Sequence, residues 1–439
     1  MHNGWQDLHE RLRAGFWFLP LGMCLVAVAL ATLTLWVDDN YDGTLGGLLT
    51  TGGAIGAQNV LTTVAASMIT VGATVLSVTI VAMQLASTQF GPRILTNFVR
   101  DRVNQAALGS FVAVFTFAVL VLRRTGDSAA SLPRISVMVA LVLTAGAVVM
   151  LIVFVHHIAT TIQAMNLVGL IARDVGQSMD RIFPEPADFD EVEPARTRPE
   201  LTGEGTGVNA VTTGYLQLID LDGLVELCEQ HDLVVELGVR PGKFLVGHTP
   251  VARAWTGDGS SGADLTDEVK DELAACFTTG PRRTHGQDAE FPVKQLVEVA
   301  VRSLSPAIND PITACACTDH LGAALCRLAG RTLPPTVLAG PDGHARVVHG
   351  DPLGFGMLVG VCFDAIRQAA DHHVVVYIHL LEALERLVPC LTDHDRLEPV
   401  RRQADLVLER AEQVIPQEAD RDVVRGRHER VLEKVDGRA

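Results

Sequence analysis

The stretch "VLTTVAASMITVGATVLSVTIVAMQL", Val60 to Leu85, decides how this chain is read. It lies inside a longer window, from Gly43 to Pro92, that carries no charged side chain. About 20 apolar residues in a helix cross the hydrocarbon core of a bilayer. A backbone entering lipid must also satisfy its own hydrogen bonds, which a helix does. The stretch is therefore a membrane-spanning helix.

Three more apolar runs flank it: Phe16–Val37, Ala106–Leu122 and Ile135–Val155. Trp17 and Trp36 sit near the ends of the first, where an aromatic belt belongs. A cleaved signal peptide is the rival reading of that run, helped by Ala29-Leu30-Ala31. The run continues to Val37, which favours an uncleaved anchor. With N- and C-termini inside, Arg11, Arg13, Arg93, Arg100, Arg102 and Arg173 fall on the inner side, against Arg123, Arg124 and Arg134 outside. That bias predicts a multi-pass protein of a bacterial plasma (inner) membrane with both termini cytoplasmic.

The chain has 439 residues, enough for two or more domains. Its charge is divided unevenly. Residues 1–182 hold ten Arg, no Lys and nine Asp or Glu, a net +1, and the remainder carries −17 of the total −16. A near-neutral apolar half is thus joined to an acidic, soluble-looking half. The negative total excludes a nucleic-acid surface, which concentrates Lys and Arg. Seven of the eight cysteines follow residue 200 without framework spacing, as expected of reduced thiols in a cytoplasmic domain.

Thr63, Ser67, Thr70, Thr74, Ser77, Gln84 and Thr88 recur along the second span in steps of three, four or seven. They form one polar face of a helix, with Val81 as the apolar member of the series. Such a stripe serves helix packing, where hydroxyls let backbones approach, or it lines a water path. The lack of an accompanying charged ring favours packing. The link between spans two and three is amphipathic, with Arg93, Arg100 and Arg102 placed to meet lipid phosphates. His156 and His157, at the inner boundary of span four, read as interfacial polar residues.

The expected fold is a mainly α membrane protein. Residues 1–158 form a four-helix transmembrane domain, 159–183 a helical stalk, and 184–208 a Pro-, Gly- and acid-rich linker. Residues 209–256 alternate as a small β-rich module, with "VVELGV" and "FLVG" expected to pair as a hairpin about the turn "RPGK". Residues 257–439 are mostly helical, with candidates at 264–277, 290–304, 311–329, 356–370, 372–391 and 393–434, the last broken near Pro416, and a small strand at "ARVVHG". Together these make a cytoplasmic α+β domain, a small β module plus a helical bundle.

Between two of those helices lies "SPAINDP", Ser305 to Pro311. Asp310 followed by Pro311 has the form of a helix start. The segment reads as a polar corner in which Ser305, Asn309 and Asp310 satisfy backbone groups. Arg283, Gln287 and Asp288, just upstream, are candidates to face it, as a structural network or a ligand site. Cys315, Cys317, His320, His372, His373 and His379 lack the spacing of a metal site, and no nucleophile, P-loop or dinucleotide motif is present. No catalytic residue, metal or cofactor is expected.

Two stretches, Ala82–Phe111 and Arg283–Leu321, make the chain resemble a family of bacterial predicted membrane proteins of unknown function. The second carries Gln287-Asp288 and the Ser305-Pro306-x-x-Asn309-Asp310-Pro311 pattern. The resemblance implies four N-terminal spans and a C-terminal cytoplasmic region, and brings no activity or catalytic residues with it. The leading functional expectation is an oligomeric channel or transporter in the lipid bilayer, several copies of span two meeting around an axis. The alternative is a non-transporting scaffold or signalling protein whose cytoplasmic domain binds a protein or small ligand.

Overall fold

The computed structural model describes residues 17–40, 53–90, 101–125, 133–161, 164–183, 198–261, 265–284 and 286–438. The chain divides into two compact units, Met1–Asn166 and Leu167–Ala439.

The first unit holds four helices long and apolar enough to cross a membrane: α1 (Phe18–Asn40), α2 (Gly53–Phe90), α3 (Arg102–Leu122) and α4 (Arg134–Thr161). Each begins or ends a few residues from the apolar run that announced it, because polar residues extend helices past the hydrocarbon boundary. Asp101, for example, caps α3 by accepting from Val103 N at 2.8 Å. α3 is the hub and packs on α1, α2 and α4. Ala107, Phe111, Val114, Phe117, Ala118 and Val121 recur on it at helical spacing and are buried. Gly109 lets α1 come close: a Cβ there would stand 2.6 Å from Met23 Sδ and 3.0 Å from Pro20 Cα. Leu61, Met68 and Phe154 complete the filling.

Side chains at the helix ends tie the bundle together. Asp38, near the end of α1, accepts from Ile135 N and Ser136 N at 2.9 and 3.0 Å, so one span caps another. Arg124 meets Asp39 at 2.7 Å beside it. At the far end of α3, His157 Nε2 lies 2.5 Å from Asp101 Oδ2. The interfacial histidine thus has a specific partner.

The second unit takes in α5 (Ala164–Ile182) from Leu167 onward, a helix read in sequence as a stalk. Its Val168, Ile171, Val175 and Met179 lie on one face and are buried. Asp180 binds Arg327 and Arg331 at 2.9 and 2.7 Å. The helix is therefore part of the C-terminal unit rather than a free rod. Any continuity with α4 lies at residues 162–163, outside the described residues.

Two sheets follow. The strands are β1 (Thr206–Asn209), β2 (Gly214–Ile219), β3 (Leu233–Leu237), β4 (Phe244–Leu245), β5 (Pro250–Thr256), β6 (Phe277–Gly280), β7 (Val337–Ala339) and β8 (Ala345–His349). One sheet runs β1-β5-β3-β8-β7 and the other β4-β2-β6. β3 and β8 pair in parallel, with Val235 opposite Val347, and the remaining neighbours are antiparallel. α6 (Leu221–Gln230), capped by Asp220, and α7 (Asp267–Ala275), capped by Thr266, support them.

This corrects three expectations. The β-rich segment is not a module of its own, since β7 and β8 come from the later, helical region. β1 begins within the expected linker, whose residues 184–197 lie outside the described ones. The β3–β4 hairpin does not form either. At the turn between them Gly242 has φ +90°, and the chain is led into the other sheet, where β4 pairs with β2.

The helical bundle follows the sequence reading closely. It contains α8 (Glu290–Ser303), α9 (Pro311–Ala329), α10 (Phe355–Ala369), α11 (Val374–Leu387), α12 (Leu397–Val414) and α13 (Glu418–Asp436). Phe363, Tyr377, Leu380 and Leu384 are fully buried within it. Pro416 separates the last two helices, as its missing N–H requires.

Candidate functional site

The polar row on α2 faces away from its own bundle. Thr63, Ser67, Thr70, Thr74, Ser77 and Gln84 are all exposed, and the side chain of Thr88 lies outside the described residues. The packed face is the complementary one, with Leu61, Ala65, Met68, Val75 and Ala82 buried. The row therefore does not pack against the other described helices of this chain. Thr70 and Thr74 each donate to the carbonyl four residues back, at 2.8 and 3.0 Å, as does Thr63 at 2.7 Å. Back-bonding satisfies the donors and leaves oxygen lone pairs facing outward. Thr79, on the packed face, was not singled out by the sequence. Of the expected lipid-facing arginines, Arg102 is exposed at the start of α3, whereas Arg93 and Arg100 lie outside the described residues.

The expected polar corner splits into two sites at opposite ends of α8, a 14-residue helix about 20 Å long. At its C-terminal end Asn309 takes φ +50° and donates its N–H to Ser305 O at 2.8 Å. Asp310 then caps α9, accepting from Thr313 N at 3.1 Å and Thr313 Oγ1 at 2.6 Å. Both oxygens are committed to the turn, so this end is a helix boundary.

At the N-terminal end the arrangement is denser. Arg283 grips Asp288 with Nε and Nη2 at 2.6 and 2.8 Å, and Asp288 also accepts from Phe291 N at 3.1 Å. Gln287 behaves as a strand residue: its Oε1 accepts from Ile219 N at 2.8 Å and its Nε2 donates to Ile219 O at 3.0 Å. Glycine is obligatory at 242, where a Cβ would fall 2.2 Å from Asp288 Oδ2.

Beside this pair lies a network that sequence reasoning missed. Arg240, in the "RPGK" turn, donates to Glu290 Oε1 from Nη2 at 2.6 Å and also bonds Asp351. Lys294 bonds the other oxygen of Glu290. Burial alone would raise the Glu290 carboxyl, but Lys294 and Arg240 outweigh it and hold it down at about 2. No local pattern could reveal this, since Arg240 stands 50 and 111 residues from its partners.

These residues wall a cavity of about 570 Å³. Arg240, Gln287, Asp288, Glu290 and Asp351 supply its polar side; Phe183, Ile219, Leu338 and Leu353 supply apolar surface. His349, at the end of β8, also lines it, and burial lowers the pKa of its imidazole. Cys315 and Cys317 are buried in α9 with thiols pushed up to about 12, so they are poor nucleophiles.

The chain is similar to uncharacterised proteins of Mycobacterium bovis and Mycobacterium tuberculosis. Each is 28% identical over 442 residues, covering 99% of this chain and 84% of theirs. No solved structure matches it. The profile of a family described as predicted membrane protein (DUF2254) matches residues 13–386, from the start of the membrane unit to the end of α11. With four membrane-length helices in place, the chain belongs to that family of predicted membrane proteins.

Proposed function

We propose that this protein is a homo-oligomeric, channel- or transporter-like protein of the bacterial plasma (inner) membrane, not an enzyme. Both termini and the C-terminal unit lie in the cytoplasm, where that unit regulates or assembles the complex. One observation carries the reading: the hydroxyl face of α2 is turned outward from its own chain along its length. The interior of a single bundle is filled by Phe111, Phe117, Phe154 and Leu61. A water path is therefore built between copies, with Thr63, Ser67, Thr70, Thr74, Ser77 and Gln84 from each meeting around an axis. Intact mass spectrometry of the full-length protein tests this, with a ring of three or more expected and a monomer or dimer overturning it. In proteoliposomes, Thr70→Leu and Thr74→Leu should leave the ring intact and reduce potassium or chloride flux at least tenfold. The second reading is a non-transporting scaffold or signalling protein whose cytoplasmic unit binds a partner or small ligand. The cavity beside Gln287 and Asp288 favours it.

A further inference from the structure

We propose that the groove between α1, α3 and α4 holds one acyl chain of a phospholipid in every copy of the protein. The groove measures about 890 Å³, within the usual range of ligand sites. All of its walls come from the first unit, which carries the four membrane-length helices. It runs along α1 from Phe18 to Leu30 and meets α4 from Val142 to Ala147.

The fold opens this groove at one end of the bundle. Asp38 pins the last turn of α1 to the start of α4 through Ile135 and Ser136. Beyond that pin the lining side chains include Gly22 and Ala27 on α1 and Gly146 and Ala147 on α4. These are too small to close the gap: a Cβ at Gly22 or Gly146 would meet nothing within 4 Å. On α3, Gly109 lies against Met23 and Pro20, and Ser110 and Ala113 line the groove beside it.

Depth and chemistry select the occupant. A buried water needs about two to four polar partners. Among the described residues on the wall Ser110 is the one polar side chain, and its hydroxyl already donates to Ala107 O at 2.8 Å. Polar ligands fail for the same reason. A helix from a second copy fails on length. The distance from Phe18 to Leu30 is about 18 Å along the helix, and the pin at Asp38 closes the remaining stretch of α1. A spanning helix would need the full depth of about 30 Å. One leaflet supplies half that depth, roughly 15 Å, so a single lipid chain ends where the groove ends. An empty groove would forfeit dispersion contacts along its apolar wall. No α2 residue is among the described lining residues, so the site stands apart from the hydroxyl row. α1 and α3, the first and third spans, cross in the same direction, so the open end of the groove is that of Arg102. This arginine is exposed at the start of α3, where lipid phosphates lie.

The test counts lipids on the full-length protein by native mass spectrometry after washing in mild detergent. One phospholipid per chain should remain. The protein is then stripped and two probes are added back: dioleoyl phosphatidylglycerol, and dihexanoyl phosphatidylglycerol with the same headgroup on short chains. The long-chain probe should bind saturably and the short-chain one about tenfold more weakly, since its chains leave much of the groove unfilled. Gly22→Leu with Gly146→Leu puts two side chains into open space and should abolish retention while the protein still folds. Val149→Leu, on an exposed face of α4 outside the groove, should leave retention unchanged. A parent protein without retained phospholipid overturns the proposal, as do equal affinities for the two probes. So does full retention by the double variant, or a smaller oligomer in it, which would make a second copy the occupant. The comparison of probes needs the parent alone and holds whatever the variants do.

Discussion

Arg240→Met is the sharpest test of how the C-terminal unit is held together. The substitution keeps most of the aliphatic bulk and removes the guanidinium that joins Glu290 to Asp351. Glu290 is 7% exposed and Arg240 13%, so this is a buried pair, and breaking such a pair costs about 3–5 kcal/mol. The carboxyl gives a second measure. Its pKa lies at about 2 against an ordinary 4.5, a difference worth roughly 3 kcal/mol of stability. Because Lys294 remains, the lower end of the range applies, and a unit of this size should melt about 6–12 °C lower. Emission of Trp255, buried in β5, reports the transition once Trp5, Trp17 and Trp36 are changed to Phe. The pH dependence has a fixed sign. A depressed carboxyl stabilises the fold fully above pH 4.5 and loses that contribution as pH falls toward 2. Without Arg240 the window narrows from below, so the acid loss should be smaller and should end at a higher pH. Replacing Glu290 with Met as well removes the stranded carboxylate, and the double variant should be more stable than Arg240→Met alone. A shift under about 2 °C, or a double variant less stable than the single, would refute the assignment.

Two smaller changes probe other joints. Asp310→Ala removes the acceptor of both Thr313 groups and should cost about 1 kcal/mol, with Asp310→Asn recovering most of it in the same melting assay. A far larger loss would mean that Asp310 does more than cap α9. Gly109→Leu drives a side chain into Met23 and the backbone at Pro20, and should cost about 1–3 kcal/mol. Trp36 emission in an SDS titration checks it, and an unchanged midpoint would show that α1 and α3 do not meet there.

What the sequence made legible was local. Four apolar runs became four membrane-length helices, and Asp310-Pro311 marked the first turn of α9 at the residue where it begins. Each of those signals is complete within a few turns of chain. The parallel pairing of β3 with β8 is different in kind, because it joins Val235 to Val347 and neither segment announces the other. β6 was not foreseen: the expected helix 264–277 ran into its first residue, and "CFTTG" is too short for a period to appear. Arg283 and Asp288 were found together because they are neighbours in sequence, whereas Arg240 was passed over for the opposite reason. Which face of α2 packs within the chain was not legible, on another ground. Residues 61, 65, 68, 75 and 82 share the helical period of 63, 67, 70, 74 and 77, so spacing alone does not say which row packs. In water the more apolar row would turn inward; in lipid, apolarity does not choose the interior.

The outward polar row must then be weighed as a whole rather than residue by residue. A threonine facing lipid costs little once its hydroxyl donates back to its own helix, and Thr63, Thr70 and Thr74 do so. Hydroxyls alone would leave α2 content at the perimeter of a single bundle. Gln84 changes the balance. Its side chain is exposed on the same row, and a primary amide carries two donors and an acceptor, more than one turn of its own helix can engage. A membrane-embedded amide gains most where water or a second amide can reach it. The row thus includes, at Gln84, the residue that most needs a neighbour, on the face that its own chain leaves open. In the ring proposed above, assembly through α2 would meet that need and would turn the other hydroxyls toward a common interior, and the intact mass of the full-length protein decides between that ring and a single bundle.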